Sequence, residues 1–162
     1  MGRNLIVAQS GGPSAAINAT LAGVIAAAQE AGEVGRVYGG LHGIEGIQAG
    51  KIVDLTGFSD LERLKATPAM ALGSCRCKLP PVEERDAEIY RRLREIFASY
   101  DIGYFLYIGG NDSMDTVYKL SRLFAGEEGA PVFMGVPKTI DNDLALTDHT
   151  PGYGSAARYL AI

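Results

Sequence analysis

The segment Pro137-Lys138-Thr139-Ile140-Asp141-Asn142-Asp143 concentrates one cation, one hydroxyl, one amide and two carboxylates directly after an apolar run. Carboxylates so placed can hold Mg²⁺ or accept a proton from a nucleophilic hydroxyl, and a lysine beside them can neutralise charge on a transferring phosphoryl group. That is the inventory of phosphoryl transfer, in which positioning and charge neutralisation supply most of the catalysis. A solvated, Asx-rich loop has the same composition, so residue types alone leave both readings open. Two further segments share the design. Gly109-Gly110-Asn111-Asp112-Ser113 follows the apolar run Tyr104 to Ile108, and Ser10-Gly11-Gly12-Pro13-Ser14 follows Leu5 to Ala8. Paired glycines at a strand-to-helix corner uncover peptide N–H groups, and the helix start adds its dipole, which suits an anion. Gly-Gly before Asn-Asp is also ordinary turn chemistry, and it is the repetition of the corner that favours phosphate. Gly73 to Lys78 is a loop carrying two more cations, Arg76 and Lys78, read equally as a surface basic pair or a phosphate contact.

Positioning these loops requires strands that end where helices begin. Leu5 to Ala8, Val34 to Tyr38, Tyr104 to Ile108 and Val132 to Val136 read as strands, the last two buried on both faces. Helices are expected over Ala15 to Ala31, over a short stretch opened by the capping box Ser59-Asp60-Leu61-Glu62, over Pro81 to Tyr100 with Arg91, Arg92 and Arg94 toward water, from Ser113 as N-cap to about Ala125, and from Gly154 onward. Gly39 to Gly50 reads as irregular, and Gly46 to Lys51 fails the P-loop pattern because Glu45 and Ile52 stand where it needs Gly and Ser or Thr. Strands alternating with helices predict an α/β fold, a doubly wound, mostly parallel sheet with helices on both faces. Ligands in such sheets bind outside the carboxyl ends of the strands, which is where all three loops lie.

At 162 residues and 47% hydrophobic content the chain fits one domain with one core. A net charge of −4 gives no general attraction to nucleic acid or an acidic membrane, so an anion site must be local. No apolar run approaches the roughly 18 residues of a membrane span, and Gly-Arg-Asn-Leu leads straight into a strand, so a cytoplasmic protein is expected. Cys75 and Cys77, one residue apart, suit neither an unstrained disulfide nor a complete zinc site and are read as a reduced pair. His42 and His149 have no neighbouring nucleophile pattern.

In order and spacing, Ser10-Gly11-Gly12, Gly109-Gly110-Asn111-Asp112-Ser113 and Pro137 to Asp143 resemble the N-terminal half of the 6-phosphofructokinase family. The resemblance implies Mg²⁺-dependent phosphorylation of the 1-hydroxyl of fructose 6-phosphate. It implies Asp141 as the base and Asp143 as its support, with Thr139, Ile140, Asp141 and Asp143 at the sugar. It further implies Gly11, Gly12, Gly110 and Arg76 at the donor phosphate. ATP-using members typically carry Gly at the positions of Asp112 and Lys138, whereas pyrophosphate-using members resemble this chain at both, so pyrophosphate is the implied donor and ATP the alternative. The Asp112 carboxylate would exclude a nucleotide's α-phosphate, with Lys138 as its charge partner and the compensation for the smaller donor. Asn111 stands where the family commonly has an Asp that binds Mg²⁺, which weakens the pull on the metal. The family's subunit is about twice as long, and its second half grips the sugar's 6-phosphate with a neighbouring subunit. Residues 1–162 are therefore expected to be a single phosphoryl-donor domain, cut from a homo-oligomeric enzyme and lacking the sugar-phosphate domain. A phosphate-binding module without turnover is the reading from a different class.

Overall fold

A computed structural model describes residues 2–162. In chain order the elements are β1 (Arg3–Gln9), α1 (Ile17–Glu30), β2 (Val34–Gly40), α2 (Gly43–Gln48), β3 (Ile52–Asp54), α3 (Leu61–Ala66), α4 (Glu88–Ser99), β4 (Ile102–Gly109), α5 (Asn111–Leu123), β5 (Val132–Pro137) and α6 (Tyr153–Ala161). The sheet runs β3-β2-β1-β4-β5, parallel throughout except for β3. β1 pairs with β2 on one side and β4 on the other, so the strand order reverses there and a crevice opens at their carboxyl ends.

Strict alternation along β1 sends its side chains to two cores. Ile6 and Ala8 join Phe105, Tyr107, Leu93, Phe97, Leu120 and Leu123 beneath α4 and α5. Leu5 and Val7 join Ile17, Leu21, Ile25 and Val37 beneath α1. The α/β, doubly wound, mostly parallel architecture expected from the sequence is the one observed. No helix among the described residues is long and apolar enough to cross a membrane.

Several local expectations are corrected. Gly39 to Gly50 is not irregular, since β2 continues to Gly40 and α2 occupies Gly43–Gln48. Ile44 and Ile47, three apart, are both fully buried, and their burial overrides the poor helix propensity of the glycines between and before them. β3 was not anticipated; it is a three-residue antiparallel edge, pinned by an Arg36–Asp54 ion pair at 3.3 Å. The capping box is not made, because α3 starts after Asp60 without a side-chain cap and Glu62 turns instead to Lys65 at 2.6 Å. α4 begins at Glu88 rather than Pro81. The preceding residues form turns held by Glu84 N–H to Pro81 O and Ala87 N–H to Glu84 O, while Arg85 bonds to Leu123 O and the Tyr90 hydroxyl to Pro80 O. Arg94 does not simply face water, lying 5.3 Å over the Phe124 ring and pairing with Glu127 at 3.1 Å.

Strand β5 is half-buried rather than buried on both faces. It is the sheet's last strand, Phe133 packs inward on the Phe97 cluster, and Val132 and Met134 are each 56% exposed on the other face. Phe97 stands at the centre of that cluster, with ring centroids 5.6 Å from Phe105, 5.9 Å from Phe124 and 6.0 Å from Phe133. Replacing it removes packing from α4, β4, α5 and β5 together. Phe97→Ala is therefore expected to lower the unfolding free energy by about 3–5 kcal/mol, measured by urea denaturation at neutral pH.

Candidate active site

Three loops leave the carboxyl ends of adjacent strands and touch. The Ser10 N–H donates to Ile108 O at 2.9 Å and the Lys138 N–H to Gly109 O at 2.8 Å, so each loop starts in register with the neighbouring strand. Gly11 adopts a positive φ of 82°, and a Cβ there would lie 3.4 Å from the Gly110 nitrogen and 3.9 Å from Lys138 Cε. Gly109 has no room for a side chain at all, since a Cβ would sit 2.2 Å from Ser113 Oγ and 2.8 Å from Ser10 O. Backbone therefore packs on backbone at the point where β1 and β4 diverge.

Ser113 is consequently not the N-cap. Helix α5 starts at Asn111 behind Gly110, an N-cap residue with no side chain to cap it, and Ser113 is buried in the first turn against Gly109. An uncapped glycine start leaves first-turn N–H groups unpaired and the positive end of the dipole open to the crevice.

The crevice is a cleft of about 540 Å³ lined by both glycine corners, the 75–78 segment, Tyr107 and the first turn of α5. It brings together Gly11, Gly12, Gly110, Asn111, Asp112 and Arg76 from three separate parts of the sequence. Lys138, Thr139, Ile140, Asp141 and Asp143 do not line it. They belong to the loop after β5, beside it, with the Lys138 side chain next to Gly11. Asp141 and Ile140 are exposed there, Ile140 at 52%.

Thr139 is the pivot of that loop. Its hydroxyl accepts the Asp141 N–H at 3.0 Å, and it holds the Asp143 carboxyl below the usual carboxylate range by hydrogen bonding, to which the Asn111 side chain adds. Asn142, at a positive φ of 58°, closes the loop from the other end by accepting the Thr150 N–H at 2.9 Å.

The expected Asp112–Lys138 pairing is replaced by another. Asp112 faces Lys78 across the cleft, Oδ1 to Nζ at 3.3 Å, both side chains being largely exposed. Lys78 was visible in the sequence only as one of two loop cations; nothing local tied it to Asp112. Tyr107, Ser74, Cys75 and Cys77 were also unassigned, because their placement depends on the 73–78 segment crossing to β1 and β4. Both cysteines are free thiols, and burial pushes the Cys77 thiol up, away from the thiolate that a nucleophile needs. The Tyr107 hydroxyl, raised by burial, accepts the Ile44 N–H at 3.1 Å beneath the cleft floor.

The sequence of residues 4–161 matches the profile of the family described as Phosphofructokinase. The chain is a member of the phosphofructokinase family. A relative from Methylococcus capsulatus, named pyrophosphate–fructose 6-phosphate 1-phosphotransferase, is 46% identical over 165 residues, covering 99% of this chain and 39% of its own. The crystal structure of a pyrophosphate-dependent phosphofructokinase from Nitrosospira multiformis superposes with a TM-score of 0.86 at 44% identity, covering 99% of this chain and 40% of that one. By contrast, an ATP-dependent 6-phosphofructokinase from Actinobacillus pleuropneumoniae is 32% identical over 154 residues. This phosphofructokinase chain spans about two fifths of the length of the pyrophosphate-named relatives.

The Thr139–Asp143 bond has a direct consequence in pH. A depressed carboxyl stabilises the folded loop above the ordinary aspartate value of about 3.9, and that contribution is lost as pH falls through the folded value. Thr139→Val should therefore move the Asp143 titration midpoint upward, toward the ordinary value, in an NMR titration of the carboxyl carbon.

Proposed function

We propose that this chain forms the phosphoryl-donor part of an enzyme that transfers phosphate from Mg-pyrophosphate to the 1-hydroxyl of fructose 6-phosphate. The observation that carries the reading is the junction of the carboxylate loop with the glycine-lined cleft, made by the Lys138 side chain against Gly11 and by the Lys138 N–H on Gly109 O at 2.8 Å. A donor in the cleft and a base on the loop are then neighbours. The pyrophosphate names of relatives at 46% and 44% identity support the donor.

In this reading the donor lies against the backbone N–H groups of Gly11, Gly12 and Gly110, with Arg76 neutralising its oxygens. Asp141 takes the proton of the sugar hydroxyl as its oxygen attacks the nearer phosphorus. The bridging P–O bond breaks, and inorganic phosphate leaves while Lys138 balances the charge. Thr139 holds Asp141 and Asp143 in one arrangement through the hydrogen bonds described above, and Ile140 borders the sugar. The sugar's 6-phosphate is gripped outside the residues described.

The donor set fits Mg²⁺, which takes few protein ligands and keeps water and phosphate oxygens. No group of three or more His, Cys, Asp or Glu side chains that could hold a metal ion stands among the described residues, but Asn111 lies at the cleft and the Asp143 carboxylate on the loop beside it. These two would hold the ion, which when bound supplies charge neutralisation on the donor.

Donor choice follows from Asp112. Its carboxylate, at the lip facing Lys78, repels the additional phosphate charge of a nucleotide while leaving a two-phosphate donor in place. The full-length polypeptide that carries this chain should thus turn over fructose 6-phosphate with Mg-pyrophosphate and barely with Mg-ATP. Equal kcat/KM for the two would refute the assignment. Asp112→Gly should raise use of ATP and weaken use of pyrophosphate, because Lys78 loses its partner at the lip.

Asp141 carries the sharper test. Asp141→Ser in the same polypeptide is expected to lower kcat by about 10²-fold or more with little change in donor affinity, since a base acts chiefly in the transition state. A purely structural carboxylate would instead lower the Tm and raise KM for both substrates. A stable variant keeping more than half of the parental kcat would remove Asp141 from the mechanism.

A further inference from the structure

The glycine loop after β1 and the 73–78 segment are more than sixty residues apart, yet two hydroxyls cross-link them. Ser10 Oγ donates to Cys75 O at 3.1 Å, and Ser74 Oγ donates to Gly11 O at 2.7 Å. The pattern is reciprocal: each serine bonds the carbonyl of the residue that follows the other serine. We infer that Ser10 and Ser74 form a clamp that fixes the Gly11–Gly12 and Cys75–Arg76 peptide planes and so sets Arg76 and the glycine-loop N–H groups on one donor phosphate.

The reasoning rests on peptide planarity. In a trans peptide the C=O and the following N–H point in opposite directions, so holding the Gly11 carbonyl toward Ser74 aims the Gly12 N–H the other way. Holding the Cys75 carbonyl toward Ser10 does the same for the Arg76 N–H. Gly11, at a φ of 82°, lies in a region open to glycine and would otherwise be free to flip its peptide. The two bonds together remove that freedom from both loops.

The clamp is also anchored below. Ser10 is 6% exposed, and its hydroxyl lies 3.8 Å from Cys75 Sγ, which lies 3.7 Å from the Tyr107 hydroxyl. Tyr107 in turn accepts the Ile44 N–H, tying the clamp to helix α2 and the core. No member of this chain of contacts is charged, so its effect on a phosphate is geometric, through the groups that it holds. Ser10 and Ser74 are thus positioning residues, and their role rests on the reading that the cleft takes pyrophosphate.

A double-mutant cycle between Ser10 and Ser74, run on the full-length polypeptide, tests the clamp. Both the KM for Mg-pyrophosphate and the calorimetric Kd for inorganic pyrophosphate are measured, the second needing no turnover. Ser74→Ala should weaken donor binding about threefold to tenfold, the worth of one net hydrogen bond, and Ser74→Thr, which keeps the hydroxyl, should restore it. In a Ser10→Ala background Ser74→Ala should add less than it does alone, because both bonds hold the same pair of loops together. If Ser74→Ala does not fold, Ser74→Cys takes its place, keeping the size of the side chain while weakening the bond. Unchanged donor affinity in the folded variant, or a full additional loss in the Ser10→Ala background, overturns the clamp. Coupled pyrophosphate binding without turnover of fructose 6-phosphate would uphold the clamp and refute the proposed reaction. Turnover with additive effects would do the reverse, and no pyrophosphate binding at all would overturn both.

Discussion

Everything at the functional end of this molecule depends on two loop backbones approaching without side chains between them. Gly109 admits no Cβ because Ser113 and the Ser10 carbonyl already fill the space, and Gly11 turns with positive φ directly above Gly110. A cleft between β1 and β4 exists in any sheet whose strand order reverses there, but its depth is set by how closely the two corners meet. Here a Cβ on Gly11 would just reach the Gly110 nitrogen, at 3.4 Å, so little more than a methyl group separates the corners. The cleft floor is therefore peptide and hydroxyl, and the charged groups Arg76, Lys78 and Asp112 stand at its walls and lip. The chemistry a bound anion encounters is dipolar below and ionic above.

The loop after β5 extends that arrangement sideways. Its carboxylates stay ordered through Thr139, whose hydroxyl serves one neighbour as acceptor and another as partner. Membership of the phosphofructokinase family gives these features a common setting, in a chain that spans about two fifths of the length of its pyrophosphate-named relatives.

How much of this was legible in the sequence follows from range. The strand-and-loop corners were readable because an apolar run ending in Gly-Gly or in Pro-Lys-Thr is a local signal, and the α/β class followed from their alternation. Lengths and ends were less readable where tertiary contacts decide them. Ile44 and Ile47 draw a glycine-rich stretch into a helix, and docking of Arg85 and Tyr90 holds residues 81–87 as turns although Pro and acidic residues there suggest a helix start. The partner of Asp112 was misjudged for the same reason. Lys138 and Lys78 are both available by composition, and only the crossing of the 73–78 segment over β1 decides for Lys78. Ser10 and Ser74 were invisible as a pair, since nothing in either local sequence points to the other.

The two edges of the sheet are unequal in a way that bears on handling the isolated chain. One edge, β3, is three residues long, antiparallel and guarded by the Arg36–Asp54 pair. The other, β5, is a six-residue strand without a charged side chain, exposing Val132 and Met134 on one face along an unpaired row of backbone groups. Such an edge is a template for strand addition from a second molecule, whereas a short charged edge resists it. Self-association of this chain in solution would accordingly begin at one end of the sheet only, growing with concentration and blunted by a lysine introduced at Met134.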